Sequence, residues 1–129
     1  MDILGEIWNR AAGFDGAEDF RAGDRALHDA LVLHGQVMNG GLLNAVETLE
    51  HRELADGVAG LEWLGLTSIA RKIAVFAVEA NGVQDAAALD ALEERGNNLY
   101  WAELGEDAVL DAAFQAAHAR DPEAFAPVR

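Results

Sequence analysis

The chain has 129 residues and a mass of 13.8 kDa, and its 23 acidic against 9 basic side chains leave a formal charge of −14 and a pI near 4.4. One domain around one core is expected at this length, burying roughly 68% of the unfolded surface, and a hydrophobic content of 51% excludes an intrinsically disordered acidic chain. The absence of cysteine excludes a disulfide framework, a thiolate zinc site and a cysteine nucleophile.

The opening Met1 to Glu6 carries an acid where a signal peptide needs a basic stretch. The longest aliphatic or aromatic run, Ile73 to Val78, is six residues, against the ~20 of a membrane span. A soluble, cytoplasmic protein is expected. Direct contact with nucleic acid or an anionic membrane is disfavoured, because both need a basic patch and none is legible in the chain.

Proline is confined to Pro122 and Pro127 and alanine is abundant, so the expected fold is all-α, a single compact domain of six or seven packed helices over residues 1–129. Residues 2–12 read as a first helix with Ile3, Ile7 and Trp8 on one face, ended by Gly13 and a turn at Asp15-Gly16. This N-terminal segment, about 1–23, is expected to pack as a flap. From Asp24, read as an N-cap, to Met38, the positions Leu27, Leu31, His34 and Met38 share a helix face. Asn39-Gly40-Gly41 is the turn that ends it, with a positive φ expected at Gly41.

A third helix is expected over Leu42 to Leu54, with Leu42, Val46 and Leu49 inward and Glu47, Glu50 and Glu53 outward, stopped by Asp56-Gly57. Val58, Leu61 and Leu64 suggest a short helix. Thr67 or Ser68 then caps a long one to Asn81-Gly82, striped by Ile69, Ile73, Phe76, Ala77 and Ala80 and read as the central, most buried helix. Asp85 caps a helix turning Leu89, Leu92 and Leu99 inward. Glu106-Asp107 opens the last through Val109, Leu110, Ala113, Phe114 and Ala117.

Catalytic patterns are sparse. His28 and His34 stand about 240° apart around a helix, off any common face. Glu47 with His51, and Asp24 with His28, are spaced to give two metal ligands each, a spacing that ordinary surface contacts on an acidic helix share. Ser68 lacks a nucleophile elbow, and Gly40-Gly41 lacks the lysine and preceding strand of a phosphate cradle. The tryptophans Trp8, Trp63 and Trp101 read as core or core-edge residues, with Tyr100-Trp101 a possible interface anchor. No catalytic, cofactor or metal residues are assigned, and no cofactor is expected.

Charge distribution is more informative. Asp85 to Glu123 holds ten acids against Arg95 and Arg120, a net −8. Carboxylates three or four residues apart on a helix are about 5–6 Å apart at Cβ, a separation comparable to that of successive phosphates. Asp90, Glu93, Glu94, Glu103, Glu106, Asp107 and Asp111 are therefore the candidate partner-binding residues, a surface able to imitate DNA.

The string Gln36-Val37-Met38-Asn39-Gly40-Gly41-Leu42, then Leu61-Glu62-Trp63-Leu64-Gly65-Leu66, Leu89-Asp90-Ala91-Leu92-Glu93, Leu99-Tyr100-Trp101 and Asp121-Pro122-Glu123-Ala124-Phe125, resembles the bacterial DNA-mimic-protein-like family, a domain of unknown function. The resemblance covers about Gln36 to Val128. It departs from the family at Gln36 and Asn44, where a glutamate and a glutamine are usual, and near Thr48, where asparagine is common. It implies a non-enzymatic, acidic protein-binding module that occupies the nucleic-acid site of a basic DNA-binding protein. An immunity or antitoxin-type protein neutralising a basic toxin is the alternative, and a metal-assisted hydrolase built on Glu47, His51 and Asp24 or His28 ranks third. A homo-oligomer is compatible with either binding role.

Overall fold

The computed structural model describes residues 2–13 and 17–128; the turn expected at Asp15-Gly16 lies outside them. The described residues form seven α-helices and no strand: α1 Ile3–Gly13, α2 Ala22–Gly40, α3 Leu42–Thr48, α4 His51–Trp63, α5 Thr67–Asn81, α6 Ala86–Glu103 and α7 Ala108–Arg120, with 3-10 turns at Ala17–Asp19 and Pro122–Ala124. The fold class read from composition and periodicity is the one observed. Ile73 to Val78 is helical.

All seven helices contribute to one core, among them Ile7, Leu27, Leu42, Leu61, Ile73, Leu92 and Phe114. Helix α1, expected as a flap, lays Ile7 and Ala11 into that core, while Ile3 is half exposed. Helix α2, rather than α5, is the one the others pack around: α1, α3, α4 and α7 all lie against it. The reason is visible in its side chains. Leu27, Ala30, Leu33, His34 and Val37 bury an arc wide enough for several neighbours, whereas α5 leaves Val75 and Val78 in solvent. Met38, placed on the inner face of α2 by periodicity, is exposed at its end.

Two boundaries differ from the sequence reading. The helix expected over residues 42–54 breaks at Leu49 and Glu50, whose ψ values of 142° and 152° are extended. Glu53 holds the new start by accepting a hydrogen bond from the Glu50 N–H at 3.0 Å. Asp56-Gly57, expected as a stop, lies within α4, because Gly57 is buried where the α4 backbone crosses Leu33 of α2.

Other junctions follow local chemistry. Gly41 has φ +94°, a region that favours glycine. A side chain there would meet the Asn97 amide of α6, which instead accepts a hydrogen bond from the Leu42 N–H at 3.3 Å. Asp85 caps α6 by accepting from the Ala88 N–H at 3.0 Å. Helix α5 starts at Thr67 and ends at Asn81, with Leu66 rather than Thr67 or Ser68 at its N-cap.

Candidate protein-binding surface

The acidic residues singled out from the sequence occupy α6, α7 and the turn between them, and packing divides them into two groups. Asp90, Glu93, Glu94 and Glu106 are exposed and make no ion pair among the described residues. Asp90, Glu93 and Glu94 are solvated because α6 buries its opposite face, through Leu92, Gly96 and Tyr100, and Glu106 stands in the turn that follows. The other three have partners inside the chain. Glu103 is paired with Lys72 of α5 at 2.5 Å, and hydrogen bonds from Lys72 and then Ser68 hold its carboxyl below its ordinary pKa. Asp111 accepts from the Gln115 amide at 3.0 Å.

Asp107 belongs to a polar array that the sequence did not reveal. His34 of α2 is 3% exposed and stands between the Tyr100 hydroxyl, 2.6 Å from Nδ1, and Asp107 Oδ1, 2.9 Å from Nε2. The arrangement that satisfies every atom has Nε2–H donating to Asp107 and the Tyr100 O–H donating to Nδ1. Burial, and secondarily the Asp107 carboxylate, push the Tyr100 phenol well above its ordinary value. Both imidazole nitrogens are therefore engaged, and Tyr100 is sealed from solvent. The array ties α2, α6 and the start of α7 together, with His34 and Tyr100 buried and only the Asp107 carboxylate open to solvent. Tyr100 cannot anchor an interface, which corrects the sequence reading; Trp101 beside it is 53% exposed.

A second buried polar centre surrounds Asp24. The sequence reading made it an N-cap, but it lies three residues inside α2's cap, fully buried. Its Oδ1 accepts from Arg10 Nη2 at 2.6 Å, and its Oδ2 accepts from the N–H groups of Arg21 at 3.0 Å and Ala126 at 2.7 Å. Arg10 also donates to the Ala126 carbonyl, and Arg21 to that of Glu123. One carboxylate thus clasps α1, the start of α2 and the C-terminal segment.

The proposed metal ligands are not brought together. Asp24 is spent on this clasp, and His28 Nδ1 lies 2.7 Å from the Ala11 carbonyl oxygen. Glu47 is in α3 while His51 begins α4, so the helix break removes their shared face. Among the described residues no cluster of three or more His, Cys, Asp or Glu is placed to hold a metal, and no helix is long and apolar enough to cross a membrane.

Fold and surface define the class: an all-α domain with two internal polar centres, around Asp24 and His34, and a set of solvated carboxylates toward its C-terminal helices. Comparison with family models, with curated proteins and with solved structures gives no match.

Proposed function

We propose that the protein is a non-enzymatic, acidic binding module that takes the nucleic-acid site of a basic DNA-binding protein, with Asp90, Glu93, Glu94 and Glu106 in the place of phosphates. The observation that carries the reading is their exposure without internal cations, on a chain whose net charge is −14. A cationic groove evolved for phosphates is attracted to such a surface over several ångströms before contact is made. The resemblance at Asn39-Gly40-Gly41 supplies the class of partner. The engagement of both His34 nitrogens and of Asp24 inside the fold supports a binding rather than a catalytic role.

The test uses the basic protein captured by the wild-type chain, titrated at two salt concentrations with duplex DNA as competitor. Binding is expected to weaken steeply with salt, to be displaced by DNA, and to associate much more slowly with the variant Asp90→Asn/Glu93→Gln/Glu94→Gln/Glu106→Gln. Asp107 and Asp111 are left intact because their carboxylates already accept hydrogen bonds within the chain, from His34 and Gln115. Salt-insensitive binding, or a ternary complex with DNA still bound, overturns the mimicry. Capture of a basic toxin in place of a DNA-binding protein supports the immunity role through the same carboxylates.

A further inference from the structure

The outward face of α5 is unlike the rest of this acidic molecule. Val75 and Val78 stand on it 63% and 79% exposed, directly opposite the buried Ile69, Ile73 and Phe76. The helix carries two bases, Arg71 and Lys72, and one acid, Glu79, a net +1 in a chain of −14. A depression lies on each side of this valine ridge. One, of about 490 Å³, is lined by Val46, Leu49, Leu54, Val58, Ala77 and Val78. The other, of about 380 Å³, runs along Arg71, Val75, Glu79, Arg95 and Leu99 toward α6. A ridge with a groove on each flank is the shape by which two helices interdigitate.

We propose that this face is a two-fold interface between two copies of the chain, with their α5 helices antiparallel about an axis near Val75. The charge pattern selects a second copy as the occupant. An isologous contact must be self-complementary, and Arg71 and Glu79 lie four residues to either side of Val75. Antiparallel pairing about Val75 therefore sets each Arg71 opposite the Glu79 of the other copy. Arg71 makes no ion pair among the described residues, whereas Lys72 and Arg95 are paired within the chain to Glu103 and Glu79. Two copies of −14 repel over most of their surfaces, and α5 is where that repulsion is relieved. A basic partner, by contrast, is drawn to the carboxylates of α6 and α7. The dimer stands independently of the binding role proposed above.

Sedimentation velocity on the full chain, over roughly a hundredfold range of concentration, should show a monomer–dimer equilibrium. Val75→Glu and Val78→Glu should each weaken it by about tenfold or more, the worth of a buried valine. Both positions are exposed in the monomer, so the helical circular dichroism should not change. Arg71→Glu and Glu79→Arg should each weaken self-association, because each places two like-charge pairs across the axis. An equal mixture of these two variants should restore the dimer, since every cross-axis pair is then opposite in charge. A monomer at every concentration overturns the proposal and leaves the valine ridge to a different protein. A dimer untouched by the valine substitutions, or a mixture that does not recover, overturns it as well.

Discussion

Asp24 shows how much one side chain decides in this fold. Its carboxylate is fully buried and accepts three hydrogen bonds, from Arg10 and from the backbone of Arg21 and Ala126. Removing one partner of a buried pair strands the other charge, so Asp24→Ala should cost about 3–5 kcal/mol in chemical denaturation. A loss below about 1 kcal/mol would mean that Arg10 finds water without unfolding the clasp. Asp29 lies five residues on, partly buried near the α4 carboxylate Asp56. Burial first, and then the nearby Asp56 carboxylate, raise its pKa, with His28 and Arg25 opposing. A carboxyl that holds its proton more tightly in the folded state loses stability as pH rises from its unfolded value through its folded one. Asp29→Asn should therefore stabilise the protein at neutral pH, by under about 1 kcal/mol near a surface. The gain should vanish when the melt is repeated in acid below the ordinary aspartate range.

Between elements, the α2 and α4 crossing is the most extensive helix–helix contact among the described residues. A Cβ at Gly57 would stand 2.7 Å from the Leu33 Cβ, and one at Gly60 would collide with the Ala26 carbonyl oxygen. Gly60→Ala should thus destabilise by about 1–3 kcal/mol through overpacking, even though alanine is the better helix former by about 1 kcal/mol. A thermal shift upward on this substitution would show that the helices can separate freely. The packing on α5 is tested by Phe76→Ala. Phe76 is 3% exposed and its ring sits against Gly96 of α6, so the cavity left should cost about 3–5 kcal/mol.

Taken as a whole, the molecule buries one Arg–carboxylate pair and carries its excess of negative charge on the surface. The Arg10–Asp24 pair is shielded from salt by burial, while solvated acids such as Asp90, Glu93 and Glu94 repel one another freely. Added salt should therefore raise the melting temperature: the screening length falls from about 30 Å at 0.01 M to about 8 Å at 0.15 M, which quiets surface repulsion first. A melting temperature that falls with salt would locate the dominant electrostatics in attractive pairs instead.

Helix class, the span of α5, the caps at Asp85 and Gly41, and the acidic character of α6 and α7 were determined by the sequence alone. Those features depend on neighbours within a few residues: apolar spacing, a capping carboxylate, a glycine where φ is positive, a count of charges. The break at Leu49 and Glu50 and the continuation through Asp56-Gly57 went the other way, since α4 had to turn to lie along α2 and glycine was needed at the crossing. Asp24 and Arg10 are fourteen residues apart, and His34 meets Tyr100 and Asp107 across 66 and 73 residues. No periodicity encodes such distances. Which carboxylates remained in solvent, and which were taken by His34, Lys72 or Arg10, was decided only when the helices packed, because burial and partnership are properties of the assembled surface rather than of any segment of chain.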